Sequence, residues 1–168
     1  VVAGPGEAFL LGLLGSPPEA GGRKISTSYA CDAFPLKDYL SPGMIMPYST
    51  SAGCYWGKCS FCPETAEGTP YAQLAPIEAA AGLRELAEEY RPALAHIVDN
   101  AISPSVLKAL VNEPPGVPWY GFARVTKELT DEGFCRDLRA SGCVMLKLGV
   151  ESGDRKSTRL NSSHTIQS

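Results

Sequence analysis

Short apolar runs alternate with helix-like periods along the chain from Met44 onward, and this alternation limits the possible folds more than any other feature. The apolar runs predict strands over residues 45–50, 94–98, 119–125 and 144–150. The intervening segments predict helices over residues 76–90, 103–111 and 130–140. Strands separated by helices pair in parallel, so the predicted fold class is α/β. Four strands cannot close a barrel, so we expect a partial (β/α) barrel of about four parallel strands.

The predicted helices carry start and stop signals. Ser103 is placed as an N-cap, with Pro104 at the first helical position. Thr130 is predicted to cap the last helix, whose first turn is acidic, and Gly142 to end it. In parallel sheets the chemistry collects at the carboxyl ends of the strands. Candidate site residues are therefore expected in the loops that follow each strand.

The two ends of the chain differ in character from its centre. We interpret residues 1–15 as the remnant of an upstream domain, residues 16–43 as a linker rich in Pro and Gly, and residues 44–153 as the N-terminal part of the barrel. The run Asp154–His164, DRKSTRLNSSH, matches the translation of a common sequencing-library adapter. Residues 154–168 are therefore interpreted as a tail that is not native, with a natural Ser-rich tail as the alternative.

Charge and hydropathy exclude several classes of partner. The 168 residues carry a net charge of −3, so nothing favours a nucleic acid or an anionic membrane surface as partner. The longest apolar stretch, Ala8–Leu14, is far shorter than the roughly 20 residues of a membrane-spanning helix. No basic region precedes it, so we do not read it as a signal peptide. A cytoplasmic location is the resulting prediction.

The strongest chemical signal is a cysteine loop, GCYWGKCSFC, directly after the first predicted strand. Cys54, Cys59 and Cys62 have the spacing C-x4-C-x2-C. Three thiolates on one short loop can surround a single soft metal centre. A disulfide framework is disfavoured because three crowded cysteines leave one unpaired and no secretory signal is present.

The spacing leaves three kinds of metal centre open. Structural zinc needs a fourth protein ligand, and no other cysteine or histidine stands at a paired spacing. A plant-type two-iron ferredoxin begins with the same spacing, but its fourth cysteine would have to be Cys135, inside a predicted helix. A four-iron cluster held by three cysteines needs no further cysteine, because its fourth iron is left open to an exogenous ligand. An electron-transfer iron–sulfur protein and a zinc-stabilised binding module therefore stay as alternatives to an enzyme.

The cysteine loop and its flanking segments resemble the radical S-adenosylmethionine (radical SAM) superfamily. The family motif is C-x3-C-x-aromatic-C, and the segment from Cys59 to Cys62 matches its second half, whereas the first spacing here has one additional residue. The segments FPLKDYLSPGMIMPYSTSAGC, HIVDNAISPSVL and FARVTKELTDEGFCRDLRASGCVMLKLGVESG are similar to the branch that often follows a cobalamin-binding domain. The resemblance covers about residues 33–153.

The resemblance implies a function and a set of site residues. Cys54, Cys59 and Cys62 would hold a [4Fe–4S] cluster that binds S-adenosylmethionine and cleaves it to a 5′-deoxyadenosyl radical acting on an unknown substrate. An electron donor such as flavodoxin or ferredoxin would supply the electron, and the upstream domain would bring cobalamin. The piece alone is expected to be inactive. The residues that would contact S-adenosylmethionine are Phe61, Asp99, Arg124 and Glu151. The Gly-Gly-Glu motif common in the family is replaced here by VDNA, which leaves Asp99 as the corresponding acid.

Other chemically suggestive residues are interpreted as structural. His96, in the middle of a strand, is predicted to be a core histidine with its hydrogen bonds satisfied. Cys135 and Cys143 are predicted to be small packing residues. Trp119 and Tyr120 are expected in the core. Tyr55 and Trp56 are expected to cover the metal centre.

Overall fold

The computed structural model describes residues 7–15, 25, 31, 34–59, 61–64, 68 and 70–150. Its helices are α1 (Glu7–Leu13), α2 (Pro76–Tyr90), α3 (Pro104–Asn112) and α4 (Glu132–Ala140), with 3-10 turns at Leu36–Asp38 and Glu128–Thr130. Its strands are β1 (Ile45–Tyr48), β2 (Ser51–Ala52), β3 (Ala72–Gln73), β4 (Leu94–Ile97), β5 (Trp119–Ala123) and β6 (Cys143–Leu148). The predictions for residues 151–153 and for the tail 154–168 concern residues outside the described part of the chain.

A four-stranded parallel sheet organises the fold. Its strand order is β1-β4-β5-β6, and every neighbouring pair is parallel. A helix lies between each pair of consecutive strands of this sheet: α2 between β1 and β4, α3 between β4 and β5, and α4 between β5 and β6. The predicted α/β class with four parallel strands is therefore confirmed. Within the described residues the sheet is open, and the short strands β2 and β3 form a separate antiparallel pair.

The hydrophobic core lies between one face of the sheet and helices α2 and α3. Burial alternates along β5, where Trp119 is fully buried and Phe122 is exposed. On the covered face, Tyr48 and Ile97 pack with Leu83 of α2 and with residues of α3. Burial of this apolar face is the main driving force for docking the helices on the sheet. Residue Trp119 also donates an indole hydrogen bond to the Ser141 carbonyl at 3.2 Å, so its polar atom is satisfied.

The opposite face of the sheet is left largely without cover in the described part of the chain. Successive side chains of a strand point to opposite faces, so the residues that alternate with the core residues share this second face. They include Ile45, Val98, Phe122 and Met145, all exposed. An apolar sheet face of this kind is suited to burial inside a larger structure.

Several predicted boundaries differ from the structure: the strands predicted at 94–98, 119–125 and 144–150 span Leu94–Ile97, Trp119–Ala123 and Cys143–Leu148. Side-chain hydrogen bonds explain two further differences. The first strand ends at Tyr48 rather than residue 50, because the backbone N–H of Thr50 donates to the Asp99 carboxyl group and not to a neighbouring strand. The last helix is capped by Asp131, whose carboxyl group accepts a 2.7 Å hydrogen bond from the Phe134 N–H. Thr130 instead ends a 3-10 turn and donates its hydroxyl to the Lys127 carbonyl.

The remaining helix signals agree with the structure. Ser103 caps α3, and its hydroxyl accepts a hydrogen bond from the Val106 N–H at 3.3 Å. Gly142 follows α4 with a φ of 99°, a left-handed conformation that glycine adopts without strain. Its backbone carbonyl accepts from Trp119 N–H, which joins the turn to the start of β5. No helix among the described residues has the length and apolar character needed to cross a lipid bilayer.

The described part of the predicted linker packs along β1. Phe34, Leu36 and Tyr39 line a cavity of about 590 Å³ together with residues 43–47. The thiol of Cys31 lies 3.6 Å from the Met46 sulfur. The division of the chain into domains stays a prediction.

Gly121 of β5 lies too close to Ile97 of β4 and to Ile102, in the loop before α3, to leave room for a side chain. A Cβ added there would lie 2.7 Å from Ile102 Cδ1 and 2.9 Å from the Ile97 carbonyl oxygen. We expect Gly121→Ala to lower the free energy of unfolding by about 1–3 kcal/mol through overpacking. Urea unfolding measures this loss. Gly12→Ala is the control, because an added Cβ meets nothing within 4 Å there, and equal losses in the two variants would contradict the packing described.

Candidate metal and cofactor site

The cysteine loop begins where β2 ends, at the carboxyl edge of the parallel sheet. Gly53 starts the loop with a φ of 71°, and its carbonyl accepts a 3.3 Å hydrogen bond from the Asn100 side-chain amide. Asn100 follows β4, so this contact joins the loop to the carboxyl end of the neighbouring strand. The predicted location of the cysteines at this edge is confirmed.

The three candidate ligands are half-buried free thiols. The Cys62 backbone N–H donates to the Cys59 carbonyl at 3.2 Å, which closes a tight turn between these two residues. Among the described residues, no group of three His, Cys, Asp or Glu side chains is arranged to hold a metal ion. The thiols of Cys54, Cys59 and Cys62 would therefore have to move closer together to share one centre. Such closure is coupled to binding in many metal sites, because a complete ligand shell rarely exists before the metal binds.

Arg124 lies against the cysteine loop. It directly follows β5, and its Nη1 atom is 3.9 Å from the Cys59 sulfur. The guanidinium carbon lies 3.9 Å from the centre of the Trp56 ring, close enough for a cation–π contact. Two residues singled out from the sequence, 65 positions apart, are thus brought into direct contact. Trp56 is half-buried under the guanidinium, and Lys58 approaches the same ring at 5.1 Å.

The segment that follows Arg124 is anchored to α3 by an ion pair. Lys108 Nζ lies 2.9 Å from a carboxylate oxygen of Glu128. The hydrogen bond from Lys108, followed by one from the Glu128 backbone, lowers the pKa of Glu128 to about 2. The pair joins α3 to the turn that carries the chain away from the site.

The tyrosine beside Cys54 leaves a buried polar atom without a partner. The Tyr55 hydroxyl is buried and makes no hydrogen bond, and the Ser51 hydroxyl is in the same condition. Burial raises the pKa of Tyr55 against a lowering influence of Arg124. The Tyr55 ring packs edge-on against Tyr71, with the ring centres 6.3 Å apart. Buried polar atoms without partners are costly, and two of them next to a cysteine loop are suited to a polar ligand.

Asp99 lies beneath the start of the loop rather than at its surface. It is only 2% exposed. One carboxyl oxygen accepts hydrogen bonds from the backbone N–H groups of Thr50 at 2.7 Å and Ser51 at 3.1 Å, and the other accepts from the Thr50 hydroxyl. Asp99 therefore holds the chain where it leaves β1. Its predicted contact with S-adenosylmethionine stays a prediction, and this positioning role is one that the sequence did not suggest.

The other two predicted cofactor contacts, Phe61 and Glu151, stay predictions. Phe61 is 64% exposed. Glu151 lies outside the described residues. The residues gathered in the described site are the cysteine loop, Arg124 and Asp99.

His96 and Cys135 differ from their predicted roles. His96 is half-buried on the open face of the sheet, stacked on Tyr120 with 4.2 Å between ring centres, and its Nε2 atom has no hydrogen-bond partner. The prediction of a satisfied core histidine is therefore wrong, and Tyr120 is half-buried rather than in the core. Burial and the nearby charge of Lys147 lower the pKa of His96. Cys135 is exposed rather than packed, whereas Cys143 is buried as predicted.

The fold and site define an α/β protein with a cysteine loop at the carboxyl edge of a parallel sheet. Comparisons with known proteins identify no relative. No protein-family model matches the chain, and neither a curated protein nor a solved structure matches it significantly. The function is therefore argued from the site itself.

Asp99→Ala tests the positioning role of the buried carboxyl group. The change leaves the Thr50 and Ser51 donors without an acceptor, and we expect it to lower the free energy of unfolding by about 2–3 kcal/mol. Asp99→Asn keeps one oxygen acceptor and should cost less. Urea unfolding measures both, with Asp137→Ala on the exposed side of α4 as the control. A loss no larger than the control's would show that Asp99 does not hold the loop.

Proposed function

We propose that this chain belongs to a radical SAM enzyme, with Cys54, Cys59 and Cys62 as the ligands of a [4Fe–4S] cluster that binds S-adenosylmethionine. The observation that carries the proposal is the cysteine loop at the carboxyl edge of the parallel sheet, in contact with Arg124. That edge is where parallel α/β proteins assemble their ligand sites.

The chemistry of the donor set supports the proposed cluster. Three thiols on one loop are the soft ligands that iron–sulfur clusters use. The half-buried position of all three limits their contact with water, and Trp56 adds an aromatic surface beside them. When bound, such a cluster supplies the electron that cleaves S-adenosylmethionine to methionine and a 5′-deoxyadenosyl radical.

The unpartnered polar atoms support a small polar ligand at the same place. One buried hydroxyl belongs to Tyr55, the residue after Cys54, and the other to Ser51, two residues before Gly53 starts the loop. A ligand with amino, carboxylate and ribose groups, such as S-adenosylmethionine, offers both donors and acceptors to them. The substrate is a further molecule whose identity the proposal leaves open.

The proposal includes a partial (β/α) barrel as the finer fold. The helices cover one face of the sheet, and the other face exposes Ile45, Val98 and Phe122. In a closed or partly closed barrel this second face becomes the interior, so its apolar side chains gain burial. A reduced flavodoxin or ferredoxin is the proposed electron donor.

Anaerobic reconstitution of the full chain with iron and sulfide tests the proposal. We expect a four-iron cluster whose reduced electron paramagnetic resonance spectrum changes when S-adenosylmethionine is added. Changing Cys54, Cys59 or Cys62 to Ala should abolish or strongly reduce iron loading, because each removes one ligand. Cys135→Ala is the matched control and should load normally, since this cysteine is exposed and lies on α4.

Three results would contradict the proposal. Stable binding of zinc in preference to iron would favour a zinc-stabilised binding module. A two-iron cluster whose spectrum ignores S-adenosylmethionine would favour an electron-transfer protein. Equal iron loading in the Cys59→Ala and Cys135→Ala variants would exclude the cysteine loop as the binding site.

A further inference from the structure

One positive charge stands on the open face of the parallel sheet, the face that α2 and α3 do not cover. Among the described strand residues that point to this face, Lys147 of β6 is the only charged one. It pairs with Phe122 of β5, which shares the face. Lys147 is exposed and forms no ion pair with a described Asp or Glu. Its charge is therefore available to a ligand.

Two aromatic rings of β5 flank the ammonium group of Lys147. Its Nζ atom lies 5.3 Å from the centre of the Tyr120 ring and 5.1 Å from that of the Phe122 ring, within the range of cation–π contacts. The Tyr120 ring is in turn held by the ring of His96 on β4, which stacks on it with 3° between the two planes. Three neighbouring strands thus place one cation between two aromatic rings.

The composition of the open face decides what chemistry can cover it. Val98, Phe122 and Met145 expose apolar side chains on the same face, so contact with an apolar body is favourable. The same contact would take the ammonium group of Lys147 out of water, which is costly unless a negative charge accompanies it. An occupant that is both apolar and anionic satisfies both requirements.

A second copy of the chain meets these requirements less well. A two-fold dimer through this face would bring the same surface from each subunit, and so a second Lys147. The described strand residues of the face include no acid, so the second copy would add a positive charge without neutralising the first.

We propose that the open face of the sheet binds a small molecule with an apolar body and one anionic group, the anionic group paired with Lys147 and the apolar body against Val98 and Phe122. Carboxylates, phosphates and sulfonates share this chemistry, because each accepts a charge-assisted hydrogen bond from an ammonium group. The inference does not depend on the proposed cluster, since none of these residues is a candidate metal ligand.

The test is a fluorescence titration of the full chain, without metal, with two probes. 8-Anilinonaphthalene-1-sulfonate has an aromatic body and one sulfonate, and N-phenyl-1-naphthylamine has the same body without the charge. We expect Lys147→Met to bind the sulfonate about fivefold more weakly than the wild type and to bind the uncharged probe unchanged. Lys147→Arg keeps the charge and should bind both probes like the wild type. Added sodium chloride should weaken binding of the sulfonate to the wild type by screening.

Arg136→Met is the matched control, because it removes one exposed positive charge from α4 rather than from the open face. It should leave the affinities for both probes unchanged. Displacement of the bound sulfonate by benzoate and by phenyl phosphate then compares a carboxylate with a phosphate. Benzyl alcohol, which carries no charge, should displace it less well than either.

Several outcomes would overturn the inference. These are equal weakening of the two probes in Lys147→Met, an equal loss of sulfonate binding in Arg136→Met, and displacement by benzyl alcohol as effective as that by the two anions. A wild-type chain that binds neither probe would show that the face is covered by another part of the chain. A dimer in sedimentation equilibrium that excludes the sulfonate would assign the face to a second copy. If far-UV circular dichroism shows that Lys147→Met does not fold, Lys147→Gln takes its place with the same expected result.

Discussion

The hydrogen bonds between the Asp99 carboxyl group and residues Thr50 and Ser51 determine where the cysteine loop begins. They draw the chain out of the sheet directly after β1 and link it to the end of β4. Asn100 adds a second link by donating to the Gly53 carbonyl. These hydrogen bonds end β1 at Tyr48, because the Thr50 N–H donates to Asp99 rather than to a neighbouring strand. They also hold the start of the cysteine loop at the edge of the sheet.

Strand β5 contributes Arg124, the residue that contacts the middle of the cysteine loop. Because β4 lies between β1 and β5, the carboxyl ends of all three strands meet at one edge. Arg124 extends from the end of β5 to Trp56 and Cys59, so the loop is contacted from two neighbouring strands. The ion pair between Lys108 and Glu128 then holds the turn after Arg124 on α3. The sheet edge therefore holds the start of the loop and contacts it again at Trp56 and Cys59. In the proposed function the three thiols close around one centre.

Local signals in the sequence predicted the elements well and their contacts poorly. The parallel pairing of the strands followed from the helix between consecutive strands. Ser103 and Pro104 marked the start of α3. Thr130 and Asp131 are both good N-cap residues, so the sequence does not distinguish them. In the structure Thr130 ends the 3-10 turn before α4, and Asp131 is the N-cap. The role of Asp99 depends on partners 48 and 49 positions away. The contact can be predicted only when β1 is known to pair with β4. Asp99 follows β4 and Thr50 follows β1, so the pairing places the two residues side by side.

The central claim is that three cysteines hold one cluster and leave one of its irons open to S-adenosylmethionine. The most direct measurement is a Mössbauer spectrum of the full chain reconstituted with iron-57, recorded with and without S-adenosylmethionine. The account predicts a four-iron cluster in which one iron is distinct from the other three and alone changes its signal when S-adenosylmethionine binds. A cluster whose irons all stay unchanged on that addition, or a chain that retains no iron, would contradict it.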